Sequence, residues 1–393
     1  MTDTMNAEKG KLKIAILVRR FVTTGGMERY CVEVTRRLAR HHDVHVFAQE
    51  WSWEGPEKIT FHKVPRYFIK PNYLNQLFFS LYTARIPDDS FDIIHSHERV
   101  TRFDTLTVHC PCFRTYIAEE KSILKRAMIL LSIAMSPRKT SYLLHEKKQF
   151  AYNKKRMLIA VSDKVKDNVR DCYSLPGDFF GIAFPGVNPE VLKRSSNWDN
   201  AEKLRSRLGI PGNDTVILFV GTEFERKGLD ALLKGFKKIS GPGLWLVVAG
   251  GGEKHARYNR MATEMGISGR VKFLGLVSDI ETVYAASDIF ILPTLSEPAG
   301  MAPVEAMAAG LPVIVSSSKY AGCAEQIKEG EALFLENPED PDEISAALTE
   351  LMDEKVRARF AEKGKRLAES LTWDRTTEET MAVYLKILDL KRN

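Results

Sequence analysis

Ser296-Glu297-Pro298-Ala299-Gly300-Met301-Ala302-Pro303-Val304-Glu305-Ala306-Met307-Ala308-Ala309-Gly310 sets two carboxylates, Glu297 and Glu305, eight residues apart across a glycine-containing turn. The run Ala302 to Ala309 is rich in alanine, the best helix former, and Gly310-Leu311-Pro312 stops it. The pattern predicts a helix that starts near Gly300 or Met301. The first N–H groups of a helix have no partner within it and carry the positive end of its dipole, which suits a phosphate. Glu297 then lies in the loop before an anion seat, and Glu305 about one turn inside the helix.

Upstream, Val216-Ile217-Leu218-Phe219-Val220 is a short apolar run of the kind a buried strand gives, and Gly221-Thr222-Glu223-Phe224-Glu225-Arg226-Lys227-Gly228 follows it. Arg226 and Lys227 come just past the strand, where open α/β sheets bind ligands. A guanidinium grips two phosphate oxygens at once, and an ammonium adds a point charge. Strands are expected over 215–220, 244–249, 270–274, 289–292 and 312–315, with helices over 229–239, 254–265, 279–286 and 301–309 between them. Earlier in the chain, strands are expected over 13–18, 43–47, 59–64, 91–95, 105–108 and 156–161, with a helix over 27–40 and Ser162 capping the next. This alternation predicts an α/β chain with parallel, doubly wound sheets. Phe184-Pro185-Gly186-Val187-Asn188-Pro189, with two prolines, a glycine and an asparagine, marks the domain boundary. Two Rossmann-like domains facing a central cleft are expected: residues 1–186 and residues 187–370, with a C-terminal helix within 371–393 opened by Thr372-Trp373-Asp374.

With 393 residues and 44% hydrophobic content the chain can fill two cores. Five scattered cysteines, an odd number, favour free thiols and a reducing compartment. Cys110-Pro111-Cys112 lacks a second pair at zinc spacing. Leu12 to Val18 ends at Arg19-Arg20 without a cleavage site and reads as the first strand, not a secretory signal. Outside it the longest apolar run, Ala127 to Met135, falls well short of the roughly 20 residues a membrane span needs.

The net charge of +6 is unevenly spread. Between Arg114 and Arg156 eleven Lys or Arg face three Glu, a net of +8, which leaves −2 for the rest of the chain. Tyr116, Ile123, Leu124, Leu130, Leu131, Tyr142 and Phe150 are interleaved with these cations. Such a basic amphipathic stretch suits an anionic membrane surface; the plainer alternative is a pair of helices with a solvated lysine face. No recognition motif accompanies the charge, so nucleic acid is not an expected partner.

In sum, Glu297 with Glu305, the Arg226-Lys227-Gly228 loop, Val248-Ala249-Gly250-Gly251-Gly252 and Gly25-Gly26-Met27-Glu28-Arg29 occur in the order found in the retaining glycosyltransferases of family 4, which the chain resembles over nearly its whole length. That family has the GT-B fold. Glu297-Pro298-Ala299-Gly300, the Arg-Lys-Gly loop and Trp53-Glu54-Gly55 are similar to the lipopolysaccharide core glucosyltransferases within it. The resemblance implies transfer of a hexose, best read as glucose from UDP-glucose, onto a lipopolysaccharide core or another cell-envelope glycan or glycolipid. GDP-mannose and UDP-N-acetylglucosamine are the alternative donors. No cofactor beyond the nucleotide-sugar and no metal is expected. The implied donor-binding residues are Gly25, Gly26, Arg226, Lys227, Val277, Glu297, Ala299, Gly300, Met301 and Glu305. Glu297 and His109 are the implied catalytic pair. The implied location is cytoplasmic, peripheral on the inner face of the cytoplasmic membrane, and the C-terminal helix should return to the N-terminal domain.

Several residues carry a second reading. His109 ends a strand and either holds the transferred sugar or is structural, with His95 and His97 in reserve. His41, His42 and His45 read as surface or core histidines rather than a metal cluster. Asp340-Pro341-Asp342 precedes a helix over 343–352 and reads as a cap. A nucleotide-sugar epimerase or a non-catalytic relative are the rival classes. Retention of Arg226, Lys227, Glu297 and Glu305 speaks against the latter.

Overall fold

Segments such as Ile93–Ser96, Thr105–Val108 and Ile289–Leu292 are buried along their whole length, as strands covered on both faces must be. The computed structural model describes residues 10–68, 70–118, 122–192, 197–251 and 255–392. Gly252 of the glycine run and the Glu119-Glu120-Lys121 triplet of the basic stretch lie outside the described residues. Two compact units are present. The first holds residues up to Phe184 together with Trp373 onward, and the second runs from Pro185 to Thr372.

In the first unit the strands are β1 (Lys13–Leu17), β2 (Arg20–Phe21), β3 (Asp43–Ala48), β4 (Glu50–Trp51), β5 (Ile59–Lys63), β6 (Ile93–Ser96), β7 (Thr105–Val108), β8 (Met157–Ala160) and β9 (Phe180–Ile182). Seven of them form one parallel sheet in the order β5-β3-β1-β6-β7-β8-β9, while β2 and β4 pair separately. The helix Gly26–Leu38 follows β1, and Ser162 caps Asp163–Tyr173 by accepting from the Val165 N–H at 3.2 Å. The last helix, Trp373–Arg392, belongs to this unit: Thr376 donates to the Phe184 carbonyl at 2.7 Å, and Trp373 and Tyr384 are fully buried.

The second unit contains β10 (Thr215–Val220), β11 (Leu244–Ala249), β12 (Val271–Gly275), β13 (Ile289–Leu292), β14 (Val313–Ser316) and β15 (Leu333–Leu335). Its parallel sheet runs β12-β11-β10-β13-β14-β15. Counted along the chain, both sheets therefore begin 3-2-1-4-5-6. In each, the first and fourth strands lie side by side, and the chain direction of the windings reverses between them.

One part of the first unit is poorly packed. In the helix Ile123–Ala134 only Ile133 is buried, while Ile123, Leu124, Met128 and Leu131 are largely exposed. The helix Pro137–Gln149 follows it, and Leu144 is exposed too. Among the described residues no helix is long and apolar enough to cross a membrane.

Candidate active site

At the switch point of the second sheet, the loops after β10 and β13 touch through positions that only glycine fills. Gly228 has φ +77°, and a Cβ there would lie 1.9 Å from the Pro293 carbonyl oxygen. Gly250, after β11, has φ +127°, and its Cβ would fall 1.8 Å from the Gly221 oxygen. Three loops thus close on one another at the carboxyl edge of the sheet. Further hydrogen bonds lock them: the Arg226 carbonyl accepts from the Leu295 N–H at 2.8 Å and the Thr294 hydroxyl at 3.2 Å.

This closure brings the predicted charges together. Lys227 Nζ binds Glu297 Oε2, with both side chains mostly buried. Arg226 lies 3.6 Å from the same oxygen, donates to Glu223 and caps the Ser296 carbonyl. The Glu297 backbone is pinned on both sides, its N–H to the Tyr320 carbonyl at 2.8 Å and its carbonyl to the Gly322 N–H at 3.0 Å. A carboxylate so held is oriented, with two cations beside it.

The helix predicted from the alanine run spans Met301–Ala308, with Gly300 at its N-cap in the left-handed region and no side chain capping it. A Cβ on Gly300 would sit 2.7 Å from Cys323 Sγ, so the loop enters the helix only through glycine. Burial, then the nearby Glu297 carboxylate, pushes the Cys323 thiol up to about 12. Ala299, Gly300 and Met301 therefore form the turn that delivers Glu297 to the helix start. Glu305 is only 6% exposed, and the Tyr284 hydroxyl donates to its Oε2 at 2.9 Å. On the next edge, the Gly250 N–H donates to the Gly275 carbonyl at 2.8 Å, and Leu276 beside Val277 is exposed.

The first unit carries a second constellation at its own switch point, after β1 and β6. Arg19 Nε lies 3.1 Å from Glu98 Oε2, and the Arg19 N–H donates to Glu98 Oε1 at 3.2 Å. Gly25 has φ +101° and a Cβ there would meet the Glu28 carboxylate at 2.5 Å, whereas Gly26 has open space around it. Of the predicted glycine pair, then, Gly25 is the one the backbone requires. A cavity of 220 Å³ lies here, lined by Arg19, Gln76, His97, Glu98, His109 and Gln149 among others.

The three strand-end histidines separate cleanly. His95 is fully buried and held on both nitrogens, by Tyr384 and Thr107, each at 2.7 Å. His109 Nε2 meets His97 Nδ1 at 3.0 Å and stands edge-on to Tyr30. His97 Nε2 is buried with no hydrogen-bond partner among the described residues. Burial pushes His95 and His109 down to about 3 and His97 well below its ordinary value, so all three are neutral at pH 7. His95 is structural, while His97 and His109 line the cavity. Of the other histidines, His45 bonds His62 at 2.8 Å and His42 accepts from the Leu12 N–H at 3.4 Å. Asp340 is the N-cap of Pro341–Glu350.

Arg19 and Glu98 were not singled out from the sequence, nor was Tyr284 as the holder of Glu305. Arg19-Arg20 looked only like the end of an apolar run. The available signal was positional: Arg19 and Glu98 follow the first and fourth strands, as Lys227 and Glu297 do in the second unit.

Residues 24–191 match the family model Glycosyltransferase Family 4, and residues 200–367 match glycosyl transferases group 1. Lipopolysaccharide glucosyltransferase WaaG of Escherichia coli (strain K12) is 23% identical over 91% of this chain and 94% of its own. The crystal structure of WaaG, a glycosyltransferase involved in lipopolysaccharide biosynthesis, superposes with a TM-score of 0.77 at 22% identity, covering 94% of this chain and 98% of that one. Anabaena HepE in complex with UDP-glucose gives 0.71 at 17% identity, over 94% of this chain and 99% of the other. The fold is accordingly GT-B, two parallel sheets flanked by helices.

Proposed function

Because the chain belongs to the family 4 glycosyltransferases, we propose that it moves glucose from UDP-glucose, with retention, onto a lipopolysaccharide core or related cell-envelope glycolipid. The observation that carries this reading is the Lys227–Glu297–Arg226 cluster beside the open start of helix Met301–Ala308. When the glycosidic bond breaks, negative charge collects on the pyrophosphate. Arg226, Lys227 and the first N–H groups of the helix stabilise it in place, without a divalent cation. Glu297, freed from Lys227 as the phosphate takes that cation, accepts hydroxyls of the sugar and orients it. Glu305 accepts the ribose hydroxyls, and the edge at Gly275, Leu276 and Val277 receives the base.

Glu297 is read as a group that orients the sugar rather than as the nucleophile of a double displacement, which would need a partner carboxylate of the kind glycosidases have. The acceptor hydroxyl instead attacks from the side of the departing phosphate, which takes up its proton. The cavity of the first unit supplies neutral imidazoles, a carboxylate and amides, a set matched to sugar hydroxyls. His109 lines that cavity and is the proposed contact there for a sugar hydroxyl. The choice of glucose and of a lipopolysaccharide acceptor is supported by the likeness to WaaG and by the UDP-glucose complex of HepE. The basic, apolar segment 114–156 supports a reading in which the enzyme works on the anionic inner face of the cytoplasmic membrane.

Calorimetric titration with UDP, GDP and ADP, repeated on Lys227→Ala, tests the site. Selective UDP binding that the variant loses is expected. Tighter GDP binding would move the donor to GDP-mannose, and silence with all three would remove the enzyme reading. Turnover unchanged by a chelator is the companion expectation for the metal-free step.

A further inference from the structure

Beside the exposed helix Ile123–Ala134 the first unit opens a groove of 620 Å³, within the ~300–1,000 Å³ span of small-molecule sites. Leu77 and Leu81 of the helix Asn72–Thr83 form one wall, and Ala134, Met135 and Leu144 the other. Two of the polar groups along it are already engaged with backbone. Thr140 donates to the Ile133 carbonyl at 2.8 Å, and the His145 ring bonds the Ser141 carbonyl at 3.0 Å. An aliphatic chain needs no polar partner there, and the leucine and methionine walls offer it apolar contact.

Two further observations name the occupant. The groove is continuous with exposed apolar surface, since Leu81, Met135 and Leu144 line it and are 57%, 76% and 58% exposed. A contiguous apolar surface of this kind on a soluble domain marks an interaction site. The charges around it are also of one sign. Lys148 lies on the rim, Lys125, Arg126, Arg138, Lys139 and Lys147 belong to the same two helices, and their one acid, Glu146, is buried and accepts from the Phe113 and Arg114 N–H groups.

We propose that this groove takes one acyl chain of an anionic phospholipid, with Lys148 at the rim meeting the headgroup phosphate. The inference rests on the membrane-surface reading above and deepens it. Adsorption becomes insertion of a chain into a built slot, which fixes the orientation of the first unit on the bilayer rather than merely holding it nearby.

The test uses lysophosphatidylglycerol and lysophosphatidylcholine below their micelle concentrations, and chainless glycerophosphoglycerol, titrated into the full chain by calorimetry. One equivalent of lysophosphatidylglycerol should bind, and glycerophosphoglycerol should not. Ala134→Trp, a substitution at an exposed position that obstructs the groove, should weaken binding at least tenfold. Lys148→Gln should lower the affinity for lysophosphatidylglycerol to that for lysophosphatidylcholine. Urea unfolding of the first unit in both variants, expected unchanged from wild type, reports that they fold. Equal binding by Ala134→Trp and wild type would overturn the proposal. So would a lipid-free dimer that Ala134→Trp makes monomeric, because a second copy would then fill the groove. Adsorption to phosphatidylglycerol vesicles separates the two readings: a chain that adsorbs but binds no monomeric lysolipid loses the groove alone, and one that does neither loses the surface reading too.

Discussion

The two units wind their sheets in the same order and each places a cation after its first strand against a carboxylate after its fourth, Arg19 with Glu98 and Lys227 with Glu297. They then diverge. The second unit adds Arg226, glycine-tight loops and an uncapped helix start, so its switch point concentrates charge. The first unit adds His97 and His109, which burial holds neutral. One scaffold thus yields a switch point that gathers charge and one lined by neutral imidazoles, and the difference lies in a few loop residues rather than in the sheets.

The largest expected effect breaks the charged seat. Lys227→Ala removes the cation nearest Glu297 and should lower turnover about 10²–10³-fold, the usual cost of losing one preorganised donor to a developing anion. Glucose transfer assayed by release of UDP checks it. A loss under tenfold would show that Arg226 and the helix start carry the leaving group without Lys227.

Next in size is a change of stability in the same loops. Gly228→Ala forces a left-handed residue against the Pro293 carbonyl and should destabilise the second unit by about 3 kcal/mol. Gly26→Ala in the first unit meets no atom within 4 Å and should be nearly neutral. Urea unfolding of the two variants measures both, and similar midpoints would deny that the loop closure depends on glycine.

Much of this was readable in the chain because long apolar strands and glycine-rich turns leave strong periodic traces. The strands of the second unit were expected within about one residue of β10 to β14 from their apolar runs. β9 and β15 are three residues each, too short for a period to show. The helix Glu354–Ser370 buries only Phe360, Gly364 and Ala368, so its apolar stripe is thin against a mostly charged sequence. Glu297 and Lys227 were legible as a motif. Arg19 and Glu98 were not, because their meaning comes from strand neighbourhood, and β1 and β6 pair at an offset of 79 residues (Leu17 with Ser96). The fate of His95 depended on Tyr384, 289 positions away, which no local pattern reports.

A smaller effect separates the two seats. Arg19→Gln leaves Glu98 without its cation and should weaken acceptor-dependent turnover about tenfold, within the range for a hydrogen bond to a charged group. UDP affinity should stay unchanged, the reverse of Lys227→Ala. If Arg19→Gln weakened UDP binding as much as Lys227→Ala, both switch points would serve the nucleotide and the division of labour would fail.

The smallest effect comes from the neutral imidazoles themselves. Eight of the nine histidines belong to the first unit, and only His255 lies in the second. Burial holds His95 and His109 near 3 and His97 well below 6.5, while the unfolded chain protonates them near 6.5. Between pH 6.5 and 3 the unfolded state therefore binds protons that the folded unit refuses. Stability is fully present above pH 6.5 and declines as the pH falls below it, by about 1.4 kcal/mol per pH unit for each such histidine. His109→Asn should lessen that slope by one histidine's share while leaving the second unit's response to pH untouched. Urea unfolding at pH 7, 6 and 5 reads the slope. An identical slope in variant and wild type would mean that His109 takes up its proton in the folded unit, and the neutral seat would then be a charged one below pH 6.5.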